Sequence, residues 1–173
     1  MNLVLIGYRG TGKTTIGKIM AKRLGMEIVS TDELIVQHAG KKSIPEIVES
    51  SGWDAFRDIE SAVIREVAAG DNLIIDAGGG VIIRPQNVEQ LRKTGVIFWL
   101  TAQIHAIAER IRGDTERPSL TGDKSFIEEI EEVLKQREPL YRAAAHHVID
   151  TEKGSPNKTA DEIMKKWTEG QAG

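Results

Sequence analysis

Strands alternating with helices predict an α/β protein: a five-stranded parallel sheet with helices on both faces, in three α/β/α layers. Three observations carry this. Short segments that read as strands fall at 3–6, 27–29, 73–75, 96–100 and 147–149, apolar apart from Glu27 and His147 at two of their starts. The stretches between them repeat apolar residues at helical spacing. The strands are nearly unbroken in apolarity, as in a sheet buried on both faces.

The elements follow in order. Leu3, Val4, Leu5 and Ile6 form the first strand, and Ile16, Ile19, Met20 and Leu24 mark the helix after it. Glu27, Ile28 and Val29 form the second strand. Ser43 and Glu46 have capping-box spacing and open a helix. The stripe Phe56, Ile59, Val63, Ile64 and Val67 continues the helical pattern. The third strand is 73–75, the fourth 96–100 and the fifth 147–149. Helical patterns occupy about 86–94, 103–112 and 126–137. Thr159 and Glu162 repeat the capping-box spacing before the last helix. Residues 113–125 are polar, with one proline and two glycines, and break the pattern on either side. A polar insert of this kind is a candidate lid.

The chain has 173 residues, which suits one domain over 1–173. A net charge of −3 gives no global attraction to nucleic acid or anionic membrane. The absence of cysteine removes disulfides, thiolate ligands and cysteine nucleophiles. The first strand begins at once, with no basic leader, and no apolar run approaches the ~20 residues of a membrane span. These features predict a soluble, cytoplasmic protein.

Gly7-Tyr8-Arg9-Gly10-Thr11-Gly12-Lys13-Thr14 matches G-x-x-x-x-G-K-[ST] between a strand and a helix. Glycines let backbone N–H groups curl around phosphate oxygens, and the helix start adds its positive dipole end. Gly10, Thr11, Gly12, Lys13, Thr14 and Thr15 are therefore candidate nucleotide contacts. Lys13 reaches the β- and γ-phosphates, and Thr14 offers a hydroxyl to Mg²⁺. The loop establishes nucleotide binding without separating kinases from nucleotide hydrolases. Asn157-Lys158 with Asp161 misses the guanine-reading spacing by one residue. Asp161 is better read as an acidic first-turn residue of the last helix.

Asp32 follows strand two, Arg57 sits in Phe56-Arg57-Asp58-Ile59-Glu60, and Gly78-Gly79-Gly80 follows strand three. In a parallel sheet these strand ends share one rim with the phosphate loop. The rim could hold a carboxylate-binding arginine, a hydroxyl-binding aspartate and exposed backbone N–H groups. Taken singly, each residue keeps a plainer reading. Arg57 could pair with Glu60 or Asp58 on a solvated helix face, and Arg137 could be surface. Asp32 could cap a helix over 33–39. His38, His105, His146 and His147 are scattered. Trp53, Trp99 and Trp167 read as packing residues, although Trp53, four residues from Arg57, could border a substrate.

Together these residues resemble the shikimate kinases along nearly the whole chain. The likeness is carried by the phosphate loop, Thr31-Asp32, Phe56-Arg57 with Glu60, the glycine triplet, Arg117-Pro118, and Gln136-Arg137-Glu138-Pro139-Leu140-Tyr141. The resemblance implies transfer of the γ-phosphoryl of ATP, with Mg²⁺, to the 3-hydroxyl of shikimate. It implies a lid at about 113–125 and a substrate-binding helical insert at about 32–60. Asp32 would bind substrate hydroxyls and help remove the attacking proton. Arg57 and Arg137 would grip the carboxylate, where guanidinium geometry favours Arg over Lys. Gly78, Gly79 and Gly80 would line the substrate. Lys13 and Arg117 would act on the phosphates, and Arg110 and the segment at Ser155-Pro156 would reach the nucleotide. The implied protein is a monomer.

Two positions depart from the family pattern. Where the family commonly carries D-x-D after strand two, this chain has Ser30-Thr31-Asp32. Strand three, in turn, ends in Asp76, a Walker B arrangement. Strands two and three are neighbours in this family, so Asp76 would supply the carboxylate that orders Mg²⁺ through water. Capping of the following loop is the other reading of Asp76. A smaller departure is Arg117-Pro118-Ser119, where the family favours leucine after the proline. Two other functions compete: a gluconate-type sugar-acid kinase, and a non-catalytic nucleotide-binding protein.

Overall fold

The computed structural model describes residues 1–112 and 125–171; of the candidate lid at 113–125 only Ser125 falls among them, and Arg117 and Pro118 lie outside the described residues. In chain order the elements begin β1 (Asn2–Ile6), α1 (Lys13–Leu24), β2 (Glu27–Ser30), α2 (Thr31–Ala39), α3 (Ile44–Ala69) and β3 (Leu73–Asp76). They continue with a 3-10 turn (Val81–Ile83), α4 (Pro85–Thr94), β4 (Gly95–Thr101), α5 (Ile104–Ile111), α6 (Phe126–Ala144), β5 (His147–Asp150) and α7 (Pro156–Gln171). The five strands are all parallel, in the order β2-β3-β1-β4-β5.

Strand alternation sorts the apolar residues into two cores. Leu3, Leu5, Ile74, Phe98 and Leu100 point to one face, where Ile16 and Met20 of α1 and Ile163 and Trp167 of α7 cover them. Val4, Ile6, Ile75, Ile97 and Trp99 point to the other, against α3, α4 and Tyr141 of α6. Both faces are closed over β1, β3 and β4, as apolar strands predict, whereas the edge strands β2 and β5 stay partly exposed, Val148 among them.

Local chemistry differs from expectation at several helix ends. Ser30, not Asp32, caps α2: its Oγ accepts from Glu33 N at 3.4 Å. β2 runs into α2 without a linker, so Asp32 falls in the first turn and its side chain is not needed as a cap. Ser43 caps α3, but Glu46 reaches one residue further back, to Lys42 N at 2.8 Å. α7 starts at Pro156, where Ser155 Oγ accepts from Lys158 N at 3.3 Å. Thr159 is therefore inside the helix, bonding Ser155 O, and is not a capping-box residue. Asp161 lies beyond the first turn and pairs with Arg23 at 2.6 Å, while Asn157 Oδ1 accepts from the same guanidinium at 3.1 Å. Those two residues pin α7 to α1.

Two helices are also longer than their patterns. α6 continues through Pro139 to Ala144. Pro139 is exposed, so the backbone group it leaves unpaired can be met by water. α3 spans 26 residues but contains Gly52 at φ 83°, ψ 170°, a break that turns Trp53 and Arg57 onto a fresh helical segment.

Candidate active site

The C-terminal ends of β1, β2 and β3 form the rim on which the site is built. β1 delivers the phosphate loop. Gly12, at φ 95°, caps α1 in the left-handed region that favours glycine. Thr11 Oγ1 donates to Tyr8 O at 2.8 Å, and Lys13 Nζ donates to Gly7 O at 2.8 Å and Tyr8 O at 3.1 Å, so the loop is closed on itself. Around it is a polar cavity bordered by Gly10, Gly12, Lys13, Thr14 and Thr15, with Ser30, Asp32 and Asp76 on its far wall. Thr11 turns its side chain away from this cavity.

Asp76 is 7% exposed and lies opposite Ser30 in the β2–β3 register. Thr14 Oγ1 donates to Asp76 Oδ2 at 2.6 Å. No group of three His, Cys, Asp or Glu gathers as a protein-only metal cage among the described residues. A hydroxyl with carboxylates beside a phosphate cradle is instead the donor set that Mg²⁺ uses, with phosphate oxygens and waters completing the octahedron. The residues present therefore fit the ion.

A second cavity adjoins the first. Asp32, Arg57, Glu60, Gly78, Gly79, Gly80 and Arg137 all border it, so the structure gathers every sequence-predicted substrate residue at one place. Arg57 does pair with Glu60, Nη1 to Oε1 at 2.8 Å, but not on a solvated face: the side chains are 12% and 1% exposed. Asp58 instead pairs with Arg84 at 2.8 Å. The Arg57 guanidinium also lies 5.5 Å from the Trp53 ring and 5.1 Å from that of Phe56. Trp53 thus borders the cavity, as its spacing from Arg57 suggested. Burial raises the Glu60 pKa, and Arg57 opposes the shift. Glu60 Oε2 has no hydrogen-bond partner among the described residues.

The glycine triplet is held from below and pressed from above. Gly78 N donates to the buried Thr31 Oγ1 at 3.0 Å. Tyr141 Oη donates to Gly79 O, and burial pushes the Tyr141 pKa up to about 12, so it remains a donor. A methyl group on Gly80 would overlap both Nη atoms of Arg57, and one on Gly78 would sit 2.7 Å from Asp32 Oδ1. Close approach, not a left-handed backbone, favours glycine here: a Cβ would push the Arg57 and Asp32 side chains out of place.

Arg110 and Pro156 stand outside both cavities. Arg110 Nη1 donates to Gly10 O at 3.0 Å, with Thr151 Oγ1 at 3.5 Å, which ties the phosphate loop to the strand end preceding Pro156. Sequence reasoning missed Tyr8, Arg9 and Ile44 as lining residues and gave Thr31 and Tyr141 no role. Tyr8 and Arg9 occupy variable positions of the loop motif, which carries no signal for them. Thr31 and Tyr141 lie within the segments that carry the family likeness, and the structure gives each a hydrogen bond to the glycine triplet.

A P-loop opening onto an adjoining pocket lined by Asp32, Arg57 and Arg137, on a five-stranded parallel sheet, defines a phosphotransferase of the P-loop kinase class. A family model described as Shikimate kinase matches residues 9–168. A shikimate kinase of Thermodesulfovibrio yellowstonii is 42% identical over 166 residues, 96% of this chain and 94% of that protein. A shikimate kinase from Acinetobacter baumannii, solved in complex with shikimate, superposes with a TM-score of 0.92 at 32% identity, covering 98% of this chain and 93% of that one. A gluconokinase from Sinorhizobium meliloti, at 17% identity and a TM-score of 0.60, shares the fold alone. The chain belongs to the shikimate kinase family.

Proposed function

We propose that this chain transfers the γ-phosphoryl group of ATP to the 3-hydroxyl of shikimate. The observation that carries this reading is the convergence of Arg57, Arg137 and Asp32 on one cavity that meets the phosphate cavity at Asp32. In this reading Arg57, aimed by buried Glu60, and Arg137 hold the substrate carboxylate, where paired N–H donors match its two oxygens. Asp32 accepts the hydroxyl proton as the oxygen attacks in line, and the glycine triplet lies along the substrate. Lys13 turns from its loop carbonyls to the β- and γ-phosphates. Catalysis is then mainly positioning and electrostatics.

Thr14 would hold Mg²⁺ directly and Asp76 through water. When bound, the ion neutralises charge on the phosphates and polarises the transferred group. Arg110 and Pro156 would flank the nucleotide. Arg117, outside the described residues, would close over the phosphates; that role rests on the family likeness. Among the described residues no helix is long and apolar enough to cross a membrane. We read the chain as a single-domain, cytoplasmic monomer.

The test is ADP release with an acceptor panel. Shikimate should drive turnover and gluconate should not. Turnover with gluconate, or tight shikimate binding without ADP release, would replace this reading with the sugar-acid kinase or the non-catalytic protein.

A further inference from the structure

Arg9 and Asp32 are the two residues that border both cavities. Asp32 has a role in the transfer proposed above. Arg9 stands at the same junction, where the γ-phosphate must meet the acceptor hydroxyl, and its surroundings are unusual for a loop arginine. Its side chain is 13% exposed, and its guanidinium carbon lies 6.0 Å from the Tyr8 ring centroid. Nη2 is 3.9 Å from Oε1 of Glu129, a carboxylate 7% exposed on the first turn of α6. Nε is buried and has no hydrogen-bond partner among the described residues.

A guanidinium this enclosed needs its charge balanced and its N–H groups met. The 3.9 Å approach of Glu129 balances charge but exceeds hydrogen-bond distance. The arrangement therefore keeps a planar donor fork beside the phosphate cavity with donor capacity for a ligand anion. The substrate carboxylate already has Arg57 and Arg137. Lys13 borders the phosphate cavity alone, while Arg9 borders both cavities.

We propose that Arg9 is a catalytic residue, whose guanidinium donates to the oxygens of the phosphoryl group as it passes between the cavities, with Glu129 holding it in place. The inference rests on the transfer reading above. The step balances simply: the acceptor oxygen forms a bond to γ-phosphorus, the bond from phosphorus to the β-γ bridging oxygen breaks, ADP leaves with that electron pair, and the hydroxyl proton goes to Asp32. Arg9 exchanges no proton. It stabilises charge that spreads over the equatorial oxygens in the transition state.

The experiment compares wild type, Arg9→Met, Arg9→Lys and Glu129→Gln in ADP release with shikimate. Calorimetry gives the affinities for shikimate and ADP, and ADP with aluminium fluoride and shikimate mimics the transition state. Arg9→Met keeps an apolar stem against Tyr8 and should lower kcat by ~10²–10³-fold, the usual effect of removing one such donor. Shikimate and ADP affinities should be unchanged, and affinity for the fluoride complex should fall with kcat. Arg9→Lys, which keeps charge and stem but not the fork, should recover part of the rate and gives the same readouts if Arg9→Met does not fold. Glu129→Gln should lower kcat by less, again without loss of shikimate affinity. Unchanged kcat in the Arg9 variants overturns the proposal. So does a loss of shikimate affinity matching the loss in kcat/KM, which would make Arg9 a third carboxylate ligand. A wild-type protein inactive on shikimate would sink the transfer reading and this inference together.

Discussion

The Thr14 hydroxyl donates a 2.6 Å hydrogen bond to Asp76, joining the start of α1 to the end of β3. Opposite Asp76 in the register stands Ser30, where the shikimate kinases commonly have an aspartate. On the proposed reading, the carboxylate at the end of β3 would serve in place of one at the end of β2, beside the threonine that would meet the metal.

That exchange makes a double-sided prediction. Asp76→Asn should raise the Mg²⁺ concentration needed for half-maximal rate by ~10–100-fold, the usual effect of losing an outer-shell partner. Adding Ser30→Asp should restore much of the lost affinity, because the two positions are side by side. Mn²⁺ binding to the ADP complex, followed by spin resonance, measures the affinity without relying on turnover. An unchanged titration in Asp76→Asn would leave Asp76 a structural partner of Thr14 only.

Arg57 and Glu60 should be separable by chemistry. Arg57→Lys keeps the charge but loses the paired donors and the stacking on Trp53 and Phe56. Losing a buried, hydrogen-bonded charge contact costs ~2–5 kcal/mol, so shikimate affinity should fall at least about 30-fold while ADP affinity holds. Glu60→Gln should weaken shikimate less, since the amide oxygen can still accept from Nη1. If Arg57→Lys binds shikimate normally, the carboxylate lies elsewhere.

Much of this was legible in the sequence, because the relevant patterns are local. An apolar run, a helical stripe and the Gly7-to-Thr14 motif each declare themselves within a few residues, and parallel topology then places the strand ends on one rim. What stayed hidden depends on contacts between distant segments. Arg57 and Glu60 read equally well as a solvated pair; only their burial beneath Gly80 separates the two meanings. Asp161 looked like a dipole residue because its partner, Arg23, is remote in sequence. Arg9 sat in a position where the motif accepts any residue. Helix ends failed for a different reason: serines at 30 and 155 cap as well as the nearby Asp32 or Thr159, and the chain uses whichever the turn presents.

Gly80→Ala tests the close approach directly. The added methyl must displace the Arg57 guanidinium, the far end of a flexible side chain, so the stability cost should be small and the effect should fall on the guanidinium's position. Shikimate affinity should fall with little change in stability, since the displaced group is a proposed substrate ligand. Gly40→Ala, where a Cβ would meet nothing within 4 Å but φ is 61°, separates backbone strain from crowding: it should lower stability and leave shikimate affinity alone. Equal affinity losses in both variants would count against a specific clash with Arg57.

Tyr141→Phe should act on the same loop from beneath. The ring still stacks on Trp99, but Gly79 O loses its donor. A buried polar group left unpaired costs ~1–3 kcal/mol. At roughly 2–4 °C of Tm per kcal/mol for a chain of this size, the melting shift is measurable. Shikimate KM should rise as the triplet loosens. A shift in Tm with no change in KM would confine Tyr141 to the core.

His146 gives the fold itself a dependence on pH, because a hydrogen bond at the start of β5 needs its neutral ring. Its Nδ1 accepts from Ile97 N at 2.9 Å, while its own N donates to Ile97 O at 2.8 Å, so a neutral imidazole continues the sheet just before β5. Protonation of Nδ1 would remove the acceptor. Burial, then the charges of Arg92 and His147, depress its folded pKa below the usual 6.5. The unfolded chain therefore takes up the proton first as pH falls. The His146 contribution is complete above about pH 6.5 and is lost as pH drops through the lower folded value. His146→Asn offers an amide oxygen to the same N–H without titrating. Its Tm should fall less steeply than that of wild type between about pH 7 and about pH 5. Some slope should remain, because the stacked His147 is depressed in the same direction. Identical slopes in the two proteins would show that the Ile97 bond does not govern this titration.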